Sequence, residues 1–253
     1  MKKEIRIFFT ALMFYTRIPC PKWVDHSDEY LNKATRYFPL IGVLVGGFSA
    51  ITFYLTAFIL PVSVSLIFSI LAGVLMTGAF HEDGLADVCD GFGGGWTKEK
   101  ILIIMKDSRV GAYGVIGLVF LFILKFTLLD SIPVKSIPAV LIAAHALSRF
   151  VAVTFLYSHT YVREGEDSKI KPVARKSPLF NFVLAGIFGI APLLLFRNPC
   201  YFLILVPLFL MKGLLGRYFK KWIGGYTGDC LGATQQICEV LFYVCFIVLW
   251  KYI

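Results

Sequence analysis

Charge is scarce in this sequence. Of its 253 residues only 16% are Asp, Glu, Lys or Arg, where soluble domains carry about 25%. That shortage excludes an ordinary soluble surface. Paired cysteines are missing as well. Cys20, Cys89, Cys200, Cys230, Cys238 and Cys245 stand apart with no C-x-x-C spacing, which argues against a disulfide framework or a zinc site. The N-terminal MKKEIRIFFTALMFYTRIPCP opens like a secretory leader, but Arg17 and Pro19 follow with no small-residue cleavage site. Residues 5–16 therefore read as a short interfacial or re-entrant helix that stays on the chain. No G-K-[ST] closes the glycine-rich turn at Gly91–Gly95, which excludes a P-loop there.

What is present is apolar: 58% of the residues are hydrophobic. A helix needs roughly 20 such residues to cross a bilayer. Seven stretches qualify, at about 38–60, 62–80, 112–130, 136–157, 179–196, 199–216 and 237–252. The expected fold is all-α, a polytopic membrane helix bundle in one domain over 1–253. Lys and Arg sort by side. With the N-terminus inside, 20 of the 25 basic residues fall before Leu40 or in the segments 81–111, 158–178 and 212–236, and only Lys135, Arg197 and Lys251 fall outside. All three long polar loops then open on the cytoplasmic face of the cell membrane, with Ile253 outside. The net charge of +9 suits anionic lipid and an anionic substrate, and nothing calls for nucleic acid. A homo-oligomer is left open.

One segment breaks the apolar pattern. His81 to Gly95, HEDGLADVCDGFGGG, puts Glu82, Asp83, Asp87 and Asp90 within nine positions. Beside a span, such carboxylates repel one another unless a cation binds them, and Mg²⁺ or Mn²⁺ is the hard ion that takes carboxylate oxygens and leaves room for phosphates. In a helix, Asp83, Asp87 and Asp90 share one face. The plainer reading is a solvated acidic loop. Lys106, Asp107, Ser108 and Arg109 follow. The segment 217–236 repeats the theme, with Gly224, Gly225, Gly228 and Gly232 around a lone Asp229. Asp229 has no local partner and no helix to cap, so it reads as a metal ligand from the second loop. Glu239 either closes the same metal shell or caps its own helix. Lys169, Lys171, Arg175 and Lys176 either bind phosphate or simply follow the orientation rule. Within spans, Arg149 is a functional candidate, one turn after His145, while Lys125 fits a side chain that snorkels to the outer interface.

Several motifs together resemble the cobalamin synthase family, adenosylcobinamide-GDP ribazoletransferase. They are H-x-D-G-L-A-D-x-x-D-G at 81–91, I-M-K-D-S-R-V-G at 104–111, S-R-F at 148–150 and G-G-Y-T-G-D-C-L-G-A at 224–233. T-R-I-P-C-P at 16–21 and Y-F-P-L-I-G at 37–42 agree as well. The resemblance implies an Mg²⁺-dependent membrane enzyme. It joins adenosylcobinamide-GDP to α-ribazole, or its 5′-phosphate, and releases GMP. On this reading Asp83, Asp87, Asp90 and Asp229 hold metal. Arg149, Lys106, Ser108, Gly225, Thr227 and Gly228 contact substrate, and Arg109 contacts phosphate. Asp107 is a candidate general base, or else a metal ligand or a partner of Arg109. His81 is a second candidate base, or else a hydrogen-bond support for an aspartate. Asp87-x-x-Asp90-Gly91 also resembles the opening of the CDP-alcohol phosphotransferase signature, whose following Ala-Arg and later Asp-x-x-x-Asp are absent. A lipid enzyme of that kind is the alternative. A cation transporter fits less well, because its acidic residues would lie at mid-membrane.

Overall fold

The computed structural model describes residues 2–24, 27–163 and 178–253. In chain order they form α1 (Lys2–Tyr15), α2 (Asp28–Ala34), α3 (Phe38–Thr56), α4 (Val62–Thr77), α5 (Phe80–Gly94), α6 (Lys98–Ile104), α7 (Ala112–Asp130), α8 (Ile137–Val153), α9 (Phe155–Ser158), α10 (Leu179–Ile190), α11 (Leu205–Ile223) and α12 (Gly228–Tyr252). Short 3₁₀ turns join several of them, and Tyr161 meets Tyr226 in an isolated parallel bridge. Six helical stretches are long and apolar enough to cross a membrane. The pair α4 and α5, bent by 88°, makes a seventh candidate. The protein is a multi-pass, all-α membrane bundle of about seven spans, as its composition requires.

Burial orders the helices. The apolar window of α8 is 89% buried, against 22% for α7, α10 and α11. So α8 is the central post and the other three face lipid, turning Phe120, Ile187 and Leu210 outward. The close neighbour of α8 is α3, and glycine permits the contact. A Cβ on Gly46 would come within 2.6 Å of the Leu141 carbonyl oxygen, and one on Gly42 would run into the His145 carbonyl. Gly42-x-x-x-Gly46 is a small-residue stripe that lets two backbones touch where lipid supplies no hydrophobic drive.

The bend between α4 and α5 sets up the site. Its two residues, Gly78 (φ 66°) and Ala79 (φ 57°), are both left-handed, a conformation that costs a non-glycine residue roughly 1–2 kcal/mol. With 16 residues at about 1.5 Å each, α4 rises through most of the hydrocarbon, and α5 then turns away from it. Four carboxylates make α5 a poor crossing helix, so we place it along the membrane face, outside the spanning segments. Residues 16–19 brace this corner. The Arg17 amide donates to the Met76 carbonyl at 2.8 Å, and the Arg17 side chain lies where a Cβ on Gly78 would stand.

Three expectations need correction. The segment 217–236 is mostly helix: α11 runs on to Ile223 and α12 begins at Gly228, leaving Gly224–Thr227 as the connection. Its polar residues looked like loop, but Gln235 and Gln236 are buried partners inside the bundle. Lys125 does not snorkel. It is 3% exposed and pairs with Glu239 at 2.7 Å. Glu239 neither caps α12 nor joins the aspartates, because it lies three turns into the helix and faces Lys125.

Candidate active site

The site is built where α5 meets the start of α12. Both helices carry a glycine at the contact. A Cβ on Gly84 would stand 3.1 Å from the Cα and carbonyl oxygen of Asp229, and 3.4 Å from the Cα of Gly232. That close approach brings Asp229 beside the carboxylates of α5. Asp229 lies in the first turn of α12, where the helix dipole favours an anion. Thr227 caps the same turn, accepting from the Cys230 amide at 3.3 Å, and its hydroxyl also reaches Asp229 Oδ2 at 3.3 Å.

Asp229 is therefore neither unpartnered nor off a helix, contrary to expectation. Arg163 donates to its Oδ2 at 2.7 Å and to the Met105 carbonyl at 3.0 Å. Arg163 is a site residue that sequence reasoning passed over. It sits in a mixed-charge loop, and only the pairing of Tyr161 with Tyr226 carries it to the site; that pairing adds bonds from the Val162 amide to the Tyr226 carbonyl and from the Tyr226 amide to the Thr160 carbonyl, both 3.0 Å. Gly225 serves the same seam: a Cβ there would strike the Thr160 carbonyl. Gly225, read from the sequence as a substrate contact, is also required by this packing. Lys169, Lys171, Arg175 and Lys176 lie outside the described residues.

Charge is crowded at the centre. Half burial pushes the Asp87 carboxyl up to about 7, and Asp229, Asp83 and Asp90 push it the same way while Arg163 opposes them. Asp83 is exposed on the same helix. Asp90 has a second duty: its two oxygens accept the Gly111 amide at 2.7 Å and the Gly114 amide at 2.8 Å, capping α7. Among the described residues, no three His, Cys, Asp or Glu side chains close into a metal-binding group by themselves. The donor set is nonetheless all carboxylate and mutually repelling, half-buried at Asp87, Asp90 and Asp229 and exposed at Asp83, and it suits a hard cation that completes its shell with water and substrate oxygens.

Beside the carboxylates lies a cationic cleft. Lys98, Lys106 and Arg163 line it, with Leu102, Ile103 and Val162. Leu102 and Val162 of its wall pack on a small core of Ile101, Met105, Phe155, Phe219, Ile223 and Tyr226. Lys106, read from the sequence as a substrate contact, lines this cleft, and Lys98 joins it unforeseen. Ser108 is exposed near the cleft's rim in sequence only. Asp107 and Arg109 pair with each other on the surface, Nη2 to Oδ2 at 2.7 Å. The hydrogen bonds from the Arg109 side chain and amide hold Asp107 down to about 2, which makes it a weak proton acceptor near neutral pH. The glycines Gly91 and Gly93 pack against Met105 and Tyr113.

Arg149 and His81 belong to a different compartment. A chamber inside the bundle is lined by Glu82, Lys125, His145, Arg149, Gln236 and Glu239 among others. Arg149, 1% exposed, donates through Nη1 to the His145 carbonyl at 2.9 Å and lies over the Phe38 ring. It is turned into the chamber and away from the cationic cleft. Gln236 donates to Glu82 at 2.9 Å, and Glu239 accepts from Gln235 at 2.8 Å and Tyr243 at 3.0 Å. This network ties α5, α7, α8 and α12 together beneath the aspartates. His81 is 2% exposed, and neither of its ring nitrogens has a partner among the described residues.

Comparison with known proteins follows the same lines. The family model for cobalamin-5-phosphate synthase matches residues 7–247. An adenosylcobinamide-GDP ribazoletransferase of Shewanella amazonensis is 48% identical, covering 99% of this chain and 98% of its own. Proteins of the same name from Shewanella frigidimarina and Shewanella oneidensis are each 47% identical, covering 96% and 98% of this chain and 94% of their own. No solved structure matches.

Proposed function

This chain belongs to the cobalamin-5-phosphate synthase family, and from that premise we propose that it transfers adenosylcobinamide phosphate from adenosylcobinamide-GDP to α-ribazole or α-ribazole 5′-phosphate. The acceptor hydroxyl oxygen forms a bond to the phosphorus that carries the cobinamide. The bond from that phosphorus to the bridging oxygen breaks, GMP leaves with that oxygen, and the hydroxyl proton is released. The observation that carries this reading is the meeting of Asp83, Asp87 and Asp229 beside the lysine and arginine cleft, a constellation that faces a nucleotide pyrophosphate with both metal-binding oxygens and fixed positive charge.

Asp83, Asp87 and Asp229, with the outer lone pairs of Asp90, are the residues that would hold Mg²⁺. When bound, the ion supplies charge neutralisation at the pyrophosphate and the leaving GMP. Arg163 keeps the Asp229 carboxylate aimed and lends positive charge to the phosphates. Lys98 and Lys106 draw the guanosine phosphate into the cleft. The proposed setting is the cytoplasmic membrane, with the N-terminus and the carboxylate face inside, on the strength of the basic residues.

The test uses purified protein in liposomes, given adenosylcobinamide-GDP and α-ribazole. GMP should appear in step with the joined product, stop on chelation and resume with Mg²⁺. Release of GMP without joined product, or transfer that ignores chelation, overturns the reading. For orientation, single cysteines at Lys106 and at Lys135 are labelled with an impermeant thiol reagent in sealed cells. Only the one at 135 should react.

A further inference from the structure

A lysine stands in a helix that faces lipid. Lys212 lies about three turns before the end of α11, in a span whose apolar window is only 22% buried inside the protein. A charge at that depth is costly unless it finds a partner or stretches to the interface. Its Nζ donates to Ser158 Oγ at 2.6 Å and lies over the Phe155 ring, 5.1 Å from the centroid. Ser158 ends α9, so the amine is drawn toward the polar connection that follows. No carboxylate among the described residues pairs with it.

His159 forms the other wall of this corner. Its Nδ1 is 2.9 Å from Ser158 Oγ, and its ring lies where a Cβ on Gly216 would stand. Burial, then Lys212 and Lys220, push its imidazole below the ordinary value. Those two lysines are separated by about 12 Å of helix axis, yet both act on one ring. The Lys212 side chain therefore extends up the helix, and the exposed Lys220 closes the corner from above.

Below the corner the same side of α11 is apolar. Val206, Phe209 and Gly213 follow one another at helical spacing. Val206 and Phe209 are 57% and 37% exposed, and a Cβ on Gly213 would meet nothing within 4 Å. One stripe thus runs from bare apolar surface, past an open notch, to a basic corner. That order fits a molecule with a hydrocarbon tail and a negative head.

We propose that this stripe seats one anionic phospholipid of the surrounding bilayer, its phosphate held by Lys212 and Lys220 and an acyl chain lying along Gly213, Phe209 and Val206. An ammonium has three donors. One goes to Ser158, which leaves two for phosphate oxygens. Ser158 and the Phe155 ring hold the Lys212 amine in place before the lipid arrives, which lowers the ordering cost of binding. A zwitterionic head brings its own cation to the corner and is disfavoured there. Lysines that only follow the orientation rule would keep no particular lipid once the bilayer is removed.

The experiment uses the full chain in detergent and counts retained lipids by native mass spectrometry. Phosphatidylglycerol and phosphatidylcholine with the same acyl chains are added in equal amounts. The wild type should retain one phosphatidylglycerol in preference to phosphatidylcholine. Lys212→Met and Lys220→Met should each weaken its affinity about fivefold, and Lys212→Arg should keep it. Lys220 is exposed, so its variant provides the readout should Lys212→Met fail to fold. Lys135→Met, at the opposite end of α8, should change nothing. Equal retention of the two lipids, or wild-type affinity in both methionine variants at 212 and 220, overturns the proposal. So does displacement of the lipid by millimolar inorganic phosphate, which would make the corner a site for a soluble anion.

Discussion

Asp87 carries two opposite consequences of one placement. Burial and its aspartate neighbours raise its carboxyl to about 7, above the ordinary value near 3.9. The folded protein therefore binds a proton more tightly than the unfolded chain does. The stability this proton supplies is full below the unfolded value and is lost as pH climbs through about 7. Without divalent metal, thermal melting from pH 5.5 to 8.5 should show the wild type weakening as pH rises and Asp87→Asn holding steady. Added Mg²⁺ should recover the wild type at high pH and do nothing for the variant. Turnover of Asp87→Asn should fall on the order of 10²-fold or more. Asp90 should behave differently. It caps α7 through two backbone amides, so Asp90→Asn should lower the metal-free melting point, by a loss of about 1 kcal/mol. The two substitutions look alike in the sequence and should separate in one calorimetric comparison.

At the scale of elements, glycines decide where helices meet. Gly84 and Gly232 let α5 lie on α12. Gly84→Ala should push the two apart by a few tenths of an ångström, raising the Mg²⁺ concentration for half-maximal transfer about tenfold while the melting point stays close to wild type. An unchanged Mg²⁺ requirement would show that the contact does not set the carboxylate spacing. Gly46→Leu has no such slack against the Leu141 carbonyl and should yield little monodisperse protein on size exclusion. The spans were legible because each is a long apolar run, and α5 was legible as a face because its aspartates recur at four and three. The ends of α11 and α12 were not. Gln235 and Gln236 look like loop residues, and Glu239 like the head of a span, until their partners Ser148, Glu82 and Lys125, 87, 154 and 114 positions away, are in view. Arg163 was hidden for a related reason: it looks like any loop arginine, and only the pairing of its strand-like segment with Tyr226 singles it out. Arg149 was marked as a candidate by its depth, but depth alone does not say which compartment a side chain enters.

At the scale of the whole molecule, the bundle is organised around charge as well as apolar packing. The Lys125–Glu239 pair, 2.7 Å apart with both side chains buried, joins an outer span to the last one. Removing one partner strands the other in a dry interior. Lys125→Met and Glu239→Leu should each destabilise the protein by about 3–5 kcal/mol, and the double substitution should cost less than either single one. A double-mutant cycle on unfolding in detergent reads the difference; additive losses would show that the two charges are solvated separately. The same pair also has a consequence in time. A chain is made and inserted from its N-terminus, so α7 enters the bilayer with its lysine more than a hundred residues before α12 delivers the glutamate that neutralises it. Until α12 is made, the growing protein carries an unmatched positive charge among its helices. Its last helix is thus the one that closes the bundle, and a ribosome that stops short of it leaves behind a product marked as incomplete by that one exposed lysine.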